Sequence, residues 1–431
     1  MKQILKTLIA DFHTSKLQNF IPRTEFTIPL NTTKIITLIG PRRAGKTTLL
    51  MQLIDTLITK HTIKKQHILY INFEDERLQL TTQNLQLIID SYLELYPDTD
   101  LSSVYFFFDE IQEIQGWEQF IRRIYDTYSK HIYLTGSSAK LLSTEIATSL
   151  RGRSISYEVL PLSFKEYLNF KSIQTNDIHS TKNKAKIQRE FTKYLTIGGF
   201  PELFELEEEI SIKTLQTYLD VMIFRDLVER YHISNVEVLK LFIKKGISNI
   251  SKEFSTYKIF NELKSQGLKV SKDTLYEFTI YLEDIYLLFF VPQYQFSLSK
   301  QLQSLKKIYC IDTGFIHSNS FLFSQNIGRV LENIVFLELR RQNLEIYYHK
   351  QQKECDFIIK KNLKISQAIQ VTQTLKDENT KKREIEGLLE ACKTHNLQQG
   401  IILTQDEEDE FKQEGITIQV LPIWKWLLLE Q

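Results

Sequence analysis

The chain has 431 residues, of which 42% are hydrophobic and 25% are charged, and its formal net charge is +1. This length allows two or three domains with buried cores, and the near-zero charge excludes a global field that would attract nucleic acid or a membrane surface. The three cysteines are too widely spaced for a disulfide framework or a zinc site, and no apolar run approaches membrane length, so we expect a cytoplasmic protein without a membrane partner.

A glycine-rich motif, GPRRAGKTT, follows the first β-branched run at 35–39 and precedes a helical pattern of leucine and isoleucine. It fits G-x-x-x-x-G-K-[ST], in which backbone N–H groups of the turn and of the helix N-terminus point at phosphate oxygens. The lysine reaches the β- and γ-phosphates, and the hydroxyl that follows it ligates Mg²⁺. We therefore predict a nucleotide site, with a glycine-rich tight turn as the alternative. Its predicted residues are Gly40, Pro41, Arg42, Arg43, Ala44, Gly45, Lys46, Thr47 and Thr48, with Lys46 also catalytic and Thr47 also a metal ligand.

Predicted strands and helices alternate through the first part of the chain. An alternating pattern with polar residues after the strands predicts a parallel α/β sheet, whose ligand lies in the crevice at the carboxyl ends of the strands. The predicted helices lie at 1–20, after the glycine-rich motif, at 85–93 and at 117–128. The predicted strands lie at 35–39, 67–73, 104–108, 132–134 and 155–159.

The apolar strand at 104–108 ends in two acids, Asp109 and Glu110. A phosphate-binding glycine-rich motif of this kind is called a P-loop. An apolar strand that lies downstream of a P-loop and ends in two acids is the Walker B arrangement. We predict that Asp109 binds the nucleotide's Mg²⁺ and that Glu110 polarises the attacking water. Many buried strands end in acids, so the pattern is weak alone and becomes specific when it is paired with Lys46 and Thr47.

Two later positions are candidates for contacts with the γ-phosphate. Ser137 follows the strand at 132–134 and is predicted to sense the phosphate; the alternative is a cap between that strand and the next helix. Arg153 is predicted to neutralise charge that develops in the transition state, and Arg151 is a second candidate for this role. The alternative for both arginines is pairing with surface acids.

These stretches resemble the prokaryotic AAA-like P-loop ATPases, related to archaeal ATPases, that carry a C-terminal nuclease-like domain of unknown function. The matching stretches are GPRRAGKTTLL, INFEDERL, FFFDEIQ, YLTGSSAKLL, LRGRSISYEVLPLSFKEYL and GGFPEL. The resemblance implies ATP and Mg²⁺ as ligands and hydrolysis through Glu110. AAA proteins commonly present asparagine as the sensor, where this chain offers Thr135, Ser137 and Ser138. Three points stay open: whether the acidic turn at 74–76 faces the site, whether Arg153 acts in its own subunit, and whether the protein is a ring or a monomer.

Four domains are predicted from changes in composition and from the resemblance. A polar, lysine- and asparagine-rich stretch at 171–189 is predicted to be a linker or a surface excursion. The predicted fold class is α/β: we expect a P-loop NTPase sheet of the ASCE or AAA-like type, followed by a winged-helix domain and a restriction-endonuclease-like α/β domain. The predicted domains are an ATPase domain at 1–165, a helical linker or lid at 166–233, a winged-helix-like domain at 234–300 and a degenerate nuclease-like domain at 301–431.

Three predicted helices and a trailing hairpin suggest the winged helix, whose third helix can enter a major groove. That helix, SKDTLYEFTIYLED, has Lys272 as its one base against four acids, whereas a DNA reader is normally more basic on this face. We favour a structural or protein-docking role, with DNA binding as the alternative.

In the last segment the resemblance to PD-(D/E)XK nucleases places Glu332, Asp356 and residues 370–372 at the three metal-site positions. Carboxylates there hold the Mg²⁺ that activates water against a phosphodiester. This chain has Gln370 and Thr372 where an acid and a lysine are expected, and glutamine is a poor ligand for a hard cation. Asp356 and Glu354 leave weak metal binding open. A scaffold or binding surface is therefore favoured over an active nuclease.

Together these patterns predict a Mg²⁺-dependent ATPase that couples hydrolysis to movement of the winged-helix and C-terminal domains. One alternative is a nucleotide-gated switch that works through a protein partner with little turnover. Another is a DNA nuclease that ATP licenses.

Overall fold

The structure, a computed structural model, describes residues 1–17, 20–137, 150–175, 177–178, 180–319 and 327–429. The chain divides into two units, residues 1–160 and 161–431, so that the last three predicted domains lie entirely within the second unit. Within the described ranges, no helix has the length and apolar character that a membrane crossing requires.

The first unit is built around a five-stranded parallel sheet, which confirms the predicted α/β class for this part of the chain. The strands are β1 (Ile35–Ile39), β2 (Ile68–Asn72), β3 (Tyr105–Asp109), β4 (Ile132–Gly136) and β5 (Ser154–Glu158). Their order across the sheet is β2-β3-β4-β1-β5. The helices are α1 (Lys2–Thr14), α2 (Lys46–Thr59), α3 (Gln86–Leu95) and α4 (Trp117–Thr127).

Both faces of this sheet are covered, which is why its central strands are mostly apolar. Ile35 and Ile39 pack into one core with α1, α3 and α4, whereas Ile36 and Leu38 pack into the other core with α2. Because side chains alternate along a strand, every residue of β1 is buried on one face or the other. Because all five strands are parallel, their carboxyl ends meet at one edge of the sheet.

The second unit begins with helices that sequence reasoning recognised only in part. Its first helices are α5 (Phe164–Phe170), α6 (Thr181–Ile197) and α7 (Glu208–Val221), the last continued by a π-helix at Met222–Glu229. The predicted linker or surface excursion at 171–189 is helical from residue 181 onward, within the predicted helical linker or lid. The buried side chains of α6, Ile187, Phe191 and Tyr194, recur at helical spacing but mostly follow residue 189, so the stretch taken alone lacked an apolar face.

Three helices and a small antiparallel sheet come next. The helices are α8 (Val236–Ser248), α9 (Thr256–Ser265) and α10 (Lys272–Asp284). The strands are β6 (Glu253–Phe254), β7 (Leu288–Pro292) and β8 (Lys306–Cys310), with a short helix α11 (Leu298–Gln303) before β8 and the order β6-β8-β7. Ser271 caps α10, since its side chain accepts a hydrogen bond from the Thr274 N–H. The third strand lies beyond residue 300, where the predicted domain ended.

The rest of the unit is a six-stranded mixed sheet with helices. The helices are α12 (Thr313–Asn319), α13 (Ile327–Arg341), α14 (Glu378–Thr394) and α15 (Ile423–Trp426). The strands are β9 (Glu345–Lys350), β10 (Glu354–Lys361), β11 (Lys364–Val371), β12 (Gln399–Thr404), β13 (Asp409–Gln413) and β14 (Ile416–Pro422). Their order is β13-β14-β12-β11-β10-β9, with β11, β12 and β14 parallel.

The Gly198–Gly199 pair in GGFPEL is explained by a buried carboxylate. Asp312 accepts hydrogen bonds from the Gly199 N–H at 2.6 Å and from the Gly314 N–H at 2.8 Å. Gly198 has φ +80°, and a Cβ atom there would lie 1.8 Å from Asp312 Oδ1. A side chain at Gly198 would therefore displace the carboxylate that holds this loop.

We expect Gly198→Ala to lower the free energy of unfolding of the second unit by about 3 kcal/mol or more. Gly267→Ala is the matched control, because Gly267 has the same φ of +80° and a Cβ added there would meet no atom within 4 Å. The control carries only the backbone penalty, about 1 kcal/mol. Urea unfolding of both variants gives the comparison, and equal losses would show that the Asp312 contact is unimportant.

Asp312 also makes the stability of the second unit depend on pH. Burial raises its pKa from 3.8 to about 7. The folded chain then keeps a proton that the unfolded chain releases, so the contribution of Asp312 to stability falls as pH rises from about 4 to about 7 and is constant above that. Between pH 5 and 6 we expect wild type to lose about 1.4 kcal/mol per pH unit relative to Asp312→Asn, which has no such proton. If the free energies of unfolding of the two proteins change equally with pH across this range, the assignment is contradicted.

Candidate active site

The turn between β1 and α2 has a backbone that few side chains allow. A Cβ on Gly40 would lie 2.0 Å from the Val159 carbonyl oxygen, so the first glycine of the motif is required by close packing. Arg43 and Gly45 have φ values of 64° and 92°, in the left-handed region. Lys46 begins α2 directly after this turn, and the first N–H groups of a helix have no intrahelical acceptor. They are available to phosphate oxygens, as predicted for residues 46–48.

A residue outside the motif holds the turn in place. The Arg23 side chain is 4% exposed, and it donates to the carbonyl oxygens of Ala44 at 2.8 Å and Leu160 at 3.1 Å. The Arg23 N–H donates to Gln52 Oε1 on α2 at 2.8 Å. Arg23 thus connects the turn, the helix after it and the segment after β5. Nothing in its local pattern, IPRTEF, marks it for this role.

Asp109 lies at the centre of a hydrogen-bond network at the end of β3. Its carboxylate accepts from Thr47 Oγ1 at 2.9 Å, from Tyr70 Oη at 3.1 Å and from the Thr135 hydroxyl. Thr135 Oγ1 in turn accepts from the Glu110 N–H at 2.8 Å. Burial raises the pKa of Asp109, against the opposing effect of these hydrogen bonds. The two predicted metal ligands are therefore in direct contact.

Thr47 and Asp109 fit a magnesium ion because both present oxygen, the donor that this hard cation prefers. Their hydrogen bond of 2.9 Å shows that both side chains reach one point beside the P-loop. A bound Mg²⁺ would supply positive charge to the β- and γ-phosphate oxygens.

Lys46 and Glu110 form a buried ion pair next to this point. Lys46 Nζ lies 3.5 Å from Glu110 Oε1 and donates to the carbonyl oxygens of Gly40 at 3.2 Å and Pro41 at 3.0 Å. Burial alone would raise the pKa of Glu110, but the Lys46 ammonium and the Gln112 amide outweigh it and hold that pKa below its usual range. Glu110 is therefore a carboxylate at neutral pH, as a water-activating base must be.

Gln112 connects this base to the predicted sensor. Its Nε2 donates to Glu110 Oε2 at 2.5 Å and to Ser137 Oγ at 3.3 Å. Ser137 is 2% exposed and follows β4, so the structure brings it to the site; Ser138 lies outside the described residues. Sequence reasoning missed Gln112, although its position two residues after Glu110 was the available signal.

The acidic turn after β2 faces the P-loop through one residue. Arg42 Nη1 pairs with Glu74 Oε1 at 2.7 Å, and Arg42 Nη2 lies 3.7 Å from Glu113 Oε1. Asp75 pairs instead with Arg77 at 2.7 Å. The question left open for this turn is thereby answered for Glu74, which contacts a predicted phosphate-binding residue.

Arg153 does not join the site within its own chain. It pairs with Asp126 at 3.0 Å, and its guanidinium lies 5.4 Å from the Tyr125 ring centroid. Arg153 precedes β5, whose first residue pairs with Ile35 at the start of β1, whereas the P-loop follows the end of β1. A strand of five residues separates the two ends by roughly 16 Å. This position does not support the predicted catalytic role in the same chain; a role toward a neighbouring chain stays a prediction.

A second charged cluster lies in the second unit, around a lysine that sequence reasoning missed. Lys307 Nζ, on β8, lies 2.8 Å from Asp356 Oδ1, 2.8 Å from Glu354 Oε1 and 3.2 Å from Glu332 Oε1. The Lys307 side chain is 2% exposed. Burial and the Asp356 charge raise the pKa of Glu332 to about 8, although the Lys307 ammonium opposes this. The carboxylates predicted as a metal site are thus brought together around an ammonium.

The three carboxylates and the remaining predicted residues, Gln370 and Thr372, line one cavity of about 750 Å³. Gln370 Oε1 accepts from the Asp356 N–H at 3.2 Å, and Gln370 Nε2 donates to Glu384. Thr372 and Arg329 lie on the cavity wall. In the described part of the chain, no group of three or more acidic, histidine or cysteine side chains is arranged to hold a metal ion.

Comparison with known proteins agrees with the geometry of the first unit. Residues 32–168 match a family described as an AAA domain, and residues 188–326 and 327–426 match two domains of unknown function, DUF8612 and DUF4143. Among solved structures, PCH-2 of C. elegans aligns with 50% of this chain and 60% of its own at 18% identity. Its TM-score of 0.26 is too low for a structural conclusion.

Two curated relatives span nearly the whole chain. The uncharacterized protein MJ1544 of Methanocaldococcus jannaschii is 39% identical over 414 residues, covering 93% of this chain and 90% of its own. An uncharacterized protein of Haemophilus influenzae is 31% identical over 392 residues, covering 90% of this chain and 93% of its own. The chain therefore belongs to the family of MJ1544 and the Haemophilus protein, and its N-terminal part is an AAA-type P-loop domain.

Proposed function

We propose that this protein is a Mg²⁺-dependent ATP hydrolase whose active site is the P-loop edge of the first unit. The observation that carries the proposal is the meeting of four side chains there: Lys46 and Thr47 from the start of α2, and Asp109 and Glu110 from the end of β3. Together they supply a phosphate-binding cation, two metal-ligand oxygens and a base.

The lysine contacts suggest how substrate binding would activate the base. In the structure Lys46 is bound to two carbonyl oxygens and pairs with Glu110. When its ammonium turns to the phosphates, Glu110 loses the cation that holds its pKa low and becomes a stronger base. Gln112 would keep one carboxylate oxygen in place, which leaves the other oxygen for the attacking water.

Phosphate release from Mg·ATP by the purified full-length chain tests this proposal. We expect steady release that chelation of Mg²⁺ abolishes and that Thr47→Ala lowers strongly, since Thr47 lies against Asp109. A chain that releases no phosphate, with or without DNA and under any magnesium concentration, would contradict the proposal.

A second candidate is a nucleotide-gated switch that binds ATP and turns it over very slowly. It is favoured by the contacts of Glu110, since the carboxylate is held by both Lys46 and Gln112. It is also favoured by the sensor position, where Ser137 stands in place of the asparagine that AAA proteins commonly present. Tight ATP binding with slow release, and rapid turnover only on addition of a partner, would favour the switch.

We also propose that residues 236–310 form a winged helix that docks a protein rather than DNA. The three helices and the β6-β8-β7 sheet are the parts that such a fold requires. The exposed face of α10 presents Tyr276 (45% exposed) and Ile280 (55% exposed) beside the acids Asp273 and Glu277. Fluorescence anisotropy with a labelled duplex tests this. Salt-dependent binding that Lys272→Ala abolishes would instead support a DNA reader.

The expected compartment is the cytoplasm. Cys310, Cys355 and Cys392 are free and buried. Free cysteines of this kind are usual where thiols are kept reduced. The proposed substrate, ATP, is abundant in the same compartment.

A further inference from the structure

The resemblance to PD-(D/E)XK nucleases implies a divalent cation near Glu332 and Asp356, and Glu354 was a further candidate for weak binding of that ion. The structure does not fit that ion, because the point toward which the three carboxylates converge is filled by Lys307. Its Nζ has one oxygen of each acid at 2.8–3.2 Å. A magnesium ion binds its oxygens at about 2.0–2.1 Å, so the ion and the ammonium exclude each other.

We propose that Lys307 permanently supplies the cation of this carboxylate centre, so that the three acids hold no metal ion. The Lys307 ammonium donates hydrogen bonds to Glu332 and Asp356 and forms an ion pair with Glu354 at 2.8 Å. Its charge is therefore directed to carboxylates within the chain. Lys307 is not free to replace the lysine of a nuclease on a scissile phosphate, and magnesium-dependent cleavage is not available at this centre.

Two neighbouring residues support the assignment. Gln370 and Thr372 occupy the positions where a metal-dependent site would need an acid and a lysine. The Gln370 side chain instead accepts the Asp356 N–H and donates to Glu384, so it completes a network within the chain. A neutral residue at 370 is consistent with a centre that holds one positive charge rather than two.

The lysine also connects two parts of the second unit. Lys307 lies on β8, the middle strand of the three-stranded sheet, whereas its acidic partners lie on α13 and β10. Further along the same strand, Tyr309 Oη donates to Glu332 Oε1 at 2.7 Å and the Cys310 N–H donates to Asn333 Oδ1 at 2.7 Å. The centre thus holds the strand of the proposed winged helix against the C-terminal sheet, a role that a catalytic metal would not need.

Binding of Mn²⁺, measured by electron paramagnetic resonance on the full chain without nucleotide, tests the proposal. Wild type and Asp356→Asn should bind the same small amount of Mn²⁺, since Asp356 is already occupied. Lys307→Met, which has a similar length and no charge, should gain one Mn²⁺ per chain at least about tenfold tighter than any site in wild type. The double variant Lys307→Met/Asp356→Asn should lose that gain.

Two results would overturn the proposal. One is a Mn²⁺ site in wild type that Asp356→Asn removes, because the lysine would then not exclude the ion. The other is a folded Lys307→Met chain that binds no more Mn²⁺ than wild type. If Lys307→Met does not fold, the comparison of wild type with Asp356→Asn still decides the question, since both retain the lysine.

Discussion

Glu110→Gln is expected to bind ATP as tightly as wild type and to lose turnover by at least about a hundredfold, the usual contribution of a general base. Glutamine has nearly the same shape but cannot accept the proton of the attacking water. Its carbonyl oxygen can still accept the Gln112 hydrogen bond that the structure shows at 2.5 Å. Phosphate release and nucleotide affinity, measured on the same preparation, separate the two effects.

Glu94→Gln is the matched control, because it removes a carboxylate from the last turn of α3, which leads to the amino end of β3 and so lies away from the P-loop edge. We expect it to leave both quantities unchanged. An equal loss of turnover in both variants would show that the effect comes from charge or stability. Wild-type turnover in Glu110→Gln would assign the base to another residue.

Lys46→Met is expected to weaken nucleotide binding by about a hundredfold or more, because at least two charge-assisted hydrogen bonds to phosphates are lost. The side chain is buried at 3% exposure and directly follows the turn that would hold the phosphates. Its removal also leaves Glu110 without its cation at 3.5 Å, so some loss of stability is expected as well. Affinity is therefore measured well below the unfolding temperature.

Lys60→Met provides the comparison for this variant. Lys60 closes the same helix α2 at its other end and is exposed, so its loss removes a charge without touching the turn. Unchanged affinity in Lys60→Met with a large loss in Lys46→Met places the phosphates at the P-loop. Similar affinities in the two variants would contradict the proposed site.

Much of the first unit could be predicted because its signals are local. The β-branched run before GPRRAGKTT and the apolar run before Asp109 each correspond to a strand within a residue. The parallel arrangement follows from their alternation with helices. Direct contact between Thr47 and Asp109 could then be expected, since carboxyl ends of parallel strands share an edge.

Other features depend on contacts between distant segments, which no local pattern reports. Arg23 reaches the P-loop from 21 positions away, and Lys307 meets Asp356 across 49 positions. The lysine in the strand KKIYC has no local signal beyond its place in that strand. The polar stretch before Ile187 shows no apolar face because the buried residues of α6 mostly follow it.

Arg153 shows that strand direction carries usable information. The residue precedes β5, so in a parallel sheet it lies at the amino end, away from the P-loop. The predicted order of segments already contained this fact, and the arginine's partner Asp126 is a surface acid of the kind that the alternative expected. Whether a candidate residue precedes or follows its strand therefore predicts, from the sequence alone, at which edge of the parallel sheet it lies.

A single-turnover experiment tests the central claim most directly, because it does not depend on product release or on a partner that speeds it. The full-length chain, in excess over γ-labelled ATP, is mixed with and without Mg²⁺. We expect labelled phosphate with Mg²⁺ in wild type, and bound, uncleaved ATP in Glu110→Gln. ATP that stays intact on the wild-type chain in the presence of Mg²⁺ would contradict hydrolysis at this site.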